Sequence, residues 1–214
     1  MATNNLTLKE FFAGLYAHTD IQKEPTSAGR QMGGHFSTRL IDEDGKWLNL
    51  TEQKNSTSDI SPTAGQMPRL VGLGLASKVY RNNKELSHLT NFSKNGDEIA
   101  FGTIGDASTS EGVFWESINA ACVLEIPVVM SIWDDGYGIS VPKKYQTTKE
   151  SISEALAGFE LDDKTNGLKI FRCNGWDYQD LYSAYKNATE FTRKHHKPSL
   201  IHVEEITQPQ GHST

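Results

Sequence analysis

The chain has 214 residues, of which 36% are hydrophobic and 22% are charged, and its formal net charge is −6 at pH 7. These values are typical of a soluble globular protein with one core, so we expect a single domain over residues 1–214. The negative net charge argues against nucleic acid as a main partner, because nucleic acid requires a basic surface. No apolar run has membrane-spanning length and no signal-peptide pattern opens the chain, so we expect no membrane partner and a cytoplasmic protein.

Two helices are predicted in the first part of the chain. Residues 6–18 show helical periodicity. A polar, glycine-rich stretch follows, and residues 59–68 then lead into a second helix at about 65–81. The Ser61-Pro62 pair in that stretch is typical of a helix start. Gly72 and Gly74 in the second helix would allow close backbone packing.

The centre of the chain is predicted to form a strand, a helix and a second strand. Residues 98–104 and 126–133 are β-branched and apolar runs, as expected of strands that are buried on both faces. Gly105 ends the first run, and the capping-box spacing of Ser108 and Glu111 predicts a helix from about Ser108. The result is a βαβ unit with a right-handed crossover and parallel strands.

The two strands of this unit deliver acidic residues to one edge of the sheet. Asp106 follows the first strand, and Asp135 lies in the turn after the second, where Asp134 is expected to be turn-forming. Carboxyl ends of parallel strands form the ligand-binding edge of open α/β sheets, and a helix amino terminus between them attracts phosphate. Two hard oxygen ligands beside a phosphate cradle predict a site for magnesium and a diphosphate.

Simpler interpretations of the same residues remain open at this point. Asp135-Gly136 is a strong turn signal on its own, and Asp106 could be only a helix-start carboxylate. A nicotinamide site is less favoured, because the glycines at 102, 105 and 112 do not make the G-x-G-x-x-G pattern.

The remaining patterns complete the predicted fold. A short helix is expected near residues 151–158, a strand at 168–173, a long helix at 177–195 and a strand at 199–204. Strands that alternate with helices in this way predict an α/β fold, with a mostly parallel sheet and helices on both faces.

Two motifs resemble those of a known family. Gly105-Asp106-Ala107, followed 29 residues after Asp106 by Asp135, is similar to the thiamine diphosphate motif, which starts Gly-Asp-Gly and ends in an Asn pair. Residues 134–140 (DDGYGIS) resemble the α subunit of the thiamine diphosphate-dependent 2-oxoacid dehydrogenases, especially the branched-chain (2-oxoisovalerate) type. The resemblance extends from about Leu8 to the last residue, and it implies the diphosphate-binding half of the thiamine diphosphate-binding fold.

The resemblance also implies a role for individual residues. Asp106, Asp135 and the backbone carbonyl of Tyr137 would hold Mg²⁺ against the diphosphate, and His212 would reach the diphosphate and act in catalysis. The residues that it assigns to the cofactor are Ser61, Thr63, Gly105, Asp106, Ala107, Ser108, Asp135, Tyr137, Gly138, Ile139 and His212.

Three positions depart from the family pattern. Ala107 replaces the third Gly of the motif, Asp135 replaces the Asn ligand, and Trp133 stands where the branched-chain type often has an Arg that faces the diphosphate. The similarity begins well inside the family's α subunit, so we also expect this chain to be a fragment of a longer one and to be inactive alone.

The activity implied by the resemblance is oxidative decarboxylation of a branched-chain 2-oxoacid, with transfer of the acyl group to lipoyl. The implied partners are a β subunit or β half, a lipoyl-bearing acyltransferase and the 2-oxoacid substrate, in an oligomer. The alternatives are a pyruvate dehydrogenase α-type component, a transketolase-like thiamine diphosphate enzyme and a non-catalytic module that retains the fold.

Overall fold

The computed structural model describes residues 5–31, 36–58 and 60–206. The chain divides into two compact units. The first comprises Met1–Ser61 and Leu89–Lys94, and the second comprises Pro62–His88 and Asn95–Thr214.

Among its described residues the first unit has one α-helix, α1 (Leu8–Leu15), inside the range predicted from the sequence. It begins with a capping box, in which Glu10 N donates to Thr7 Oγ1 (3.2 Å) and Thr7 N donates to Glu10 Oε2 (2.7 Å). The same unit buries the carboxylate of Glu24, which accepts from the backbone N–H groups of Thr26, Ser27 and Gly29. Burial opposes ionisation of Glu24, but the hydrogen bonds outweigh it and lower its pKa to about 2.

The second unit is built on a four-stranded sheet, which confirms the predicted fold class. The strands are β1 (Ala100–Gly105), β2 (Val128–Trp133), β5 (Lys169–Asn174) and β6 (Ser199–Glu204). They run in the order β1-β2-β6-β5, and every neighbouring pair is parallel. The register places Gly105 opposite Trp133, and Trp133 opposite Val203, so these three strands end at the same level.

Helices cover both faces of this sheet. The core on one face joins the sheet to α2 (Met67–Asn82), α3 (Gly112–Leu124) and α4 (Ile152–Ala155). Helix α5 (Tyr178–His195) packs on the other face. None of the helices in the described ranges is long and apolar enough to cross a membrane.

Successive residues of the central strands alternate between the two cores. Met130 and Ile132 of β2 belong to the core under α2, α3 and α4, whereas Val129 belongs to the core under α5. Helix α2 approaches the sheet closely at Gly74, where a Cβ atom would come 2.5 Å from Val128 Cγ2 in β2. The close packing predicted for Gly74 is therefore present. The same prediction for Gly72 was wrong, because a Cβ atom on Gly72 would have no described atom within 4 Å.

Helix α3 begins later than the sequence predicted. Residues Ala107–Ser110 form a 3-10 turn, in which Thr109 N and Oγ1 both donate to the carbonyl of Asp106 (3.1 and 2.6 Å). Glu111 then has extended backbone (φ −72°, ψ 134°), which interrupts the helical path. The helix therefore starts at Gly112, and the predicted capping box of Ser108 and Glu111 does not form.

A small hairpin follows β2. Strand β3 (Tyr137–Gly138) pairs antiparallel with β4 (Val141–Pro142), and 3-10 turns cover Lys143–Tyr145 and Thr148–Glu150. This hairpin lies in the segment that carries the predicted motif DDGYGIS.

Candidate functional site

The candidate site lies at the carboxyl edge of the sheet. Asp106 follows β1, and its N–H donates to the carbonyl of Trp133 at 3.1 Å. Asp134 follows β2, and its N–H donates to the carbonyl of Val203 at 2.9 Å. These bonds continue the parallel ladders one step past the strands. Asp106, Asp134 and Asp135 therefore leave the sheet at the same edge.

Asp106 is a buried acid without a counter-charge. The residue is 5% exposed, and no cation among the described residues pairs with it. Burial, together with the negative charges of Asp134 and Asp135, raises the pKa of Asp106 to about 6. A buried carboxylate that is destabilised by its own neighbours is a good ligand for a cation, because a bound cation removes the cause of the shift.

Asp134, in contrast, is fully partnered. Its Oδ2 atom lies 2.8 Å from Lys143 Nζ and 3.0 Å from His202 Nε2. Its Oδ1 atom accepts from Gly136 N at 2.9 Å, which is the turn-forming role expected from the sequence. Burial opposes ionisation here too, but the bonds from His202 and Lys143 lower the pKa of Asp134 to about 2.

His202 was not identified from the sequence. It is fully buried in β6, and its Nδ1 atom lies 2.9 Å from Ser153 Oγ. The available signal was a histidine inside an apolar strand, SLIHVE. A buried imidazole requires polar partners, and the acids that follow the neighbouring strand at the same edge were candidates.

Asp135 has a different environment from that of Asp134. The residue is partly exposed, and its Oδ1 atom accepts from Tyr137 N at 3.0 Å. Lys143 is held by Asp134, so no described cation pairs with Asp135 either. The two adjacent acids therefore differ in their partners. Asp134 is paired with Lys143 and His202, whereas the described bond to the Asp135 side chain comes from the backbone of Tyr137.

The carbonyl of Tyr137 is not used in the hairpin. Tyr137 lies opposite Pro142, which has no N–H, and the neighbouring bond joins Lys143 N to Gly136 O at 2.9 Å. Hydrogen-bonded and non-bonded pairs alternate in an antiparallel ladder, so Tyr137 is in a non-bonded pair and its carbonyl points away from β4. This oxygen is therefore available to a ligand.

Ala107 and Gly138 are the contact between the 3-10 turn after β1 and the hairpin after β2. A Cβ atom on Gly138 would come 2.8 Å from Ala107 Cβ, so the hairpin packs directly against the 3-10 turn after β1. Ile139, the next residue, has φ 58°, a conformation that β-branched side chains rarely adopt. Such backbone strain is often found at binding sites.

Other predicted residues are placed as follows. Around Gly105 there is open space, since a Cβ there would meet only Ser108 Oγ, at 4.0 Å. Thr63 is exposed in the turn before α2, and Ser61 belongs to the first compact unit. His212 lies outside the described residues, so its catalytic role stays a prediction.

Trp133 adds no charge to the site. Its indole Nε1 donates to Ser131 Oγ and to Tyr185 Oη, both at 3.1 Å, which directs the N–H toward α5. The ring lines an apolar cavity of about 480 Å³ on that face of the sheet. The other lining residues are Gly175, Tyr178, Leu181, Tyr182, Tyr185, Val203 and Ile206.

The oxygen donors at this edge of the sheet fit magnesium, which needs few protein ligands, better than a metal that takes all its ligands from protein side chains. Within the described ranges there is no cluster of three or more His, Cys, Asp or Glu side chains with metal-binding geometry. Magnesium, however, is commonly held by one or two carboxylates together with substrate phosphates and water. Asp106, Asp135 and the Tyr137 carbonyl supply such an incomplete set of hard oxygen donors.

Comparison with known proteins gives a consistent family. The family model described as "Dehydrogenase E1 component" matches residues 3–214. A 2-oxoisovalerate dehydrogenase subunit alpha from Bacillus subtilis is 31% identical over 179 residues, which cover 83% of this chain and 44% of that protein. The mitochondrial 2-oxoisovalerate dehydrogenase subunit alpha 1 of Arabidopsis thaliana is 28% identical over 96% of this chain and 35% of its own length.

Two further comparisons cover less of this chain. A pyruvate dehydrogenase E1 component subunit alpha from Acholeplasma laidlawii is 29% identical over 61% of this chain and 32% of its own length. Among solved structures, the transketolase of Campylobacter jejuni aligns with 66% of this chain and 20% of its own, at TM-score 0.49 and 20% identity. The chain therefore spans less than half the length of these relatives.

Proposed function

This chain belongs to the dehydrogenase E1 component family, and on that premise we propose that it holds Mg²⁺ and the diphosphate of thiamine diphosphate in a 2-oxoacid dehydrogenase. The reaction is the oxidative decarboxylation of a 2-oxoacid and transfer of its acyl group to lipoyl. The partners are a β subunit, in an oligomer, and a lipoyl-bearing acyltransferase.

The observation that supports this proposal most strongly is the unbalanced charge of the buried Asp106 carboxylate. It is buried at the ligand-binding edge of the sheet, its pKa is raised to about 6, and no described cation balances its charge. The backbone N–H groups of Asp106 and Ala107 bond to this carboxylate and lower its pKa, but burial and the charges of Asp134 and Asp135 outweigh them. A divalent cation bound to Asp106 and Asp135 would balance the remaining charge.

The chain's own residues would do the following. Asp106, Asp135 and the Tyr137 carbonyl would hold Mg²⁺, while Ala107 and Gly138 would form the floor beneath the diphosphate. When bound, the thiamine cofactor supplies an electron sink for decarboxylation, and the protein supplies its position and electrostatic environment.

The family resemblance assigns further residues to the cofactor, and they belong to this proposal. Gly105 leaves room for the cofactor, because open space surrounds its Cα atom. Ser108, Ile139, Ser61, Thr63 and His212 complete the proposed set.

A branched-chain 2-oxoacid, 2-oxoisovalerate, is the proposed substrate. Support comes from two relatives that each cover most of this chain and are 2-oxoisovalerate dehydrogenase α subunits. Pyruvate is the second candidate, because an E1 α subunit of pyruvate dehydrogenase is 29% identical over 61% of the chain. An assay of the chain with a matching β subunit, 2-oxoisovalerate or pyruvate and an artificial electron acceptor would separate the two.

Calorimetric titration tests the binding proposal directly. Thiamine diphosphate should bind the chain in the presence of Mg²⁺, and chelation of the metal with EDTA should abolish that binding. Asp106→Ala should remove it as well, since losing one of two carboxylate ligands is severe for magnesium. Exposed Asp163, in the loop before β5, provides the matched control Asp163→Ala. Unchanged affinity in Asp106→Ala would remove Asp106 from the site.

A further inference from the structure

We propose that His202 is a positioning residue that fixes, through Asp134, the turn that presents Asp135 and the Tyr137 carbonyl. This inference rests on the proposed function for the identity of what the turn binds, but not for the geometry of the turn itself. No motif in the sequence pointed to His202, because it lies inside the buried strand β6.

The argument begins with how Asp134 connects the edge of the sheet. Its backbone donates to Val203 O (2.9 Å) and accepts from Ile206 N (3.1 Å), which joins the end of β2 to the end of β6. Its side chain accepts from Gly136 N, which closes the turn before β3. The position of Tyr137 therefore follows from the position of the Asp134 carboxylate.

Two groups hold that carboxylate, and they differ in rigidity. Lys143 comes from the 3-10 turn after the hairpin, and its side chain is 32% exposed. His202 is 0% exposed and has a second anchor, since Nδ1 lies 2.9 Å from Ser153 Oγ at the start of α4. A flexible lysine can follow the carboxylate as it moves, whereas a buried imidazole held on both sides cannot. His202 is therefore the group that fixes Asp134 in place.

The hydrogen-bond pattern also assigns the imidazole proton. An ionised carboxylate accepts only, so Nε2 of His202 carries the hydrogen that is donated to Asp134. Nδ1 faces the hydroxyl of Ser153, with Glu204 Oε1 at 3.8 Å. The bond to Asp134 thus requires a donor at the Nε2 position, which a glutamine amide can reach from this backbone position and an asparagine amide cannot.

These contacts give Asp134 and Asp135 different partners. His202 and Lys143 satisfy Asp134, and this leaves Asp135 without a cation. Without His202, Asp134 could follow Lys143 outward and carry Gly136 and Tyr137 with it. Partners that orient metal ligands from outside typically contribute 10–100-fold to metal affinity, so we expect an effect of about that size.

The test compares two amide variants in the full chain. His202→Gln keeps a donor near Nε2, and His202→Asn keeps only a polar group near Ser153. Thr192→Val is the control for a lost buried hydrogen bond, because Thr192 Oγ1 is 2.7 Å from Ser199 Oγ at the opposite end of β6. Binding of thiamine diphosphate at saturating Mg²⁺ is measured by calorimetry. Amide hydrogen exchange of Gly136 and Tyr137 is measured by NMR without cofactor.

We expect His202→Asn to weaken cofactor binding about 10–100-fold, while His202→Gln and Thr192→Val stay within about threefold of wild type. Exchange at Gly136 and Tyr137 should accelerate only in His202→Asn, with the amides of β1 unchanged. Equal effects of Asn and Gln, an equal loss in Thr192→Val, or unchanged exchange in His202→Asn would each overturn the proposal. If the wild-type chain binds no cofactor, the proposed function fails, and the exchange data alone decide the role of His202.

Discussion

The backbone N–H of Asp106 donates to the carbonyl of Trp133 at 3.1 Å, and this bond brings the ends of β1 and β2 to the same level. The residues after each strand must then share one edge of the sheet. Asp106, Asp134 and Asp135 follow the strands at this edge, and of the three only Asp134 is paired with cations among the described residues. The negative charge at Asp106 is therefore unfavourable in this structure, and this has measurable consequences.

The first prediction concerns the stability of the metal-free protein. The pKa of Asp106 is about 6 in the folded state and about 3.9 in the unfolded state, so the folded state retains the proton more strongly between these values. Stability should therefore fall as the pH rises from about 4 to about 6. Asp106→Asn removes this cost and should raise the free energy of unfolding at pH 7 by about 1–3 kcal/mol.

Urea denaturation of both proteins at pH 4 and pH 7, in EDTA, checks this prediction. The advantage of the variant should be present at pH 7 and nearly absent at pH 4. The same substitution should abolish Mg²⁺-dependent cofactor binding, so the variant gains stability and loses function. A less stable variant at pH 7 would mean that the Asp106 charge is compensated by a partner.

The second prediction separates the ligand role of Asp135 from its charge. Two carboxylates cancel the charge of Mg²⁺, which leaves the diphosphate charge largely unbalanced, and Lys143 is held by Asp134. Asp135→Asn keeps an oxygen ligand and removes one negative charge. Cofactor affinity at saturating Mg²⁺ should then be equal or higher.

Titrations with thiamine diphosphate at several Mg²⁺ concentrations measure this effect. Asp163→Asn removes the same charge from an exposed loop and should leave the affinity unchanged. A large loss of affinity in Asp135→Asn would show that binding requires the negative charge itself.

The third prediction uses the contact between Ala107 and Gly138. A methyl group on Gly138 would come 2.8 Å from Ala107 Cβ and would also press on the Gln146 side chain. Gly138→Ala should therefore push the hairpin away from the 3-10 turn and cost about 1–3 kcal/mol of stability, together with cofactor affinity.

The double variant Ala107→Gly/Gly138→Ala provides the control. Removing the opposing methyl should restore part of the stability and affinity, since Gln146 is flexible enough to move aside. A double-mutant cycle measures the coupling between the two positions. Strictly additive effects would show that the two residues do not touch.

The sequence predicted the sheet well because each strand is rich in apolar and β-branched residues and lies between helical or turn patterns. All four predicted strands overlap the observed ones, and the edge shared by Asp106 and Asp135 follows from the parallel βαβ unit. The start of α3 was wrong by several residues, because a Thr109 side chain closes a 3-10 turn where a helix was expected. The spacing of Ser108 and Glu111 alone cannot distinguish a 3-10 turn from the first turn of an α-helix.

The internal partners of the site were not predictable from local patterns. His202 is 68 residues from Asp134 in the chain, and only the pairing of β2 with β6 brings them together. The sequence predicts a turn-forming Asp134 and a ligand at Asp135, but it does not show that His202 and Lys143 bind Asp134. The different roles of the two acids depend on which one faces the buried histidine, and that is a property of the folded register.

The last prediction concerns Asp134, which titrates in the opposite sense to Asp106. The bonds from His202 and Lys143 outweigh burial and lower the pKa of Asp134 to about 2, compared with about 3.9 in the unfolded chain. Its contribution to stability is therefore complete above pH 4 and is lost as the pH falls from about 4 to about 2. Asp134→Asn keeps an acceptor for Gly136 but no charge for Lys143 or His202. We expect it to lower the free energy of unfolding at pH 7 by about 1–3 kcal/mol, which allows for the partial exposure of Lys143.

Urea denaturation from pH 7 to pH 3, with Asp163→Asn as the exposed control, should show this difference shrinking toward acid pH. A difference that is constant with pH would mean that shape rather than charge at Asp134 holds the turn, and a difference that grows toward acid pH would contradict the lowered pKa.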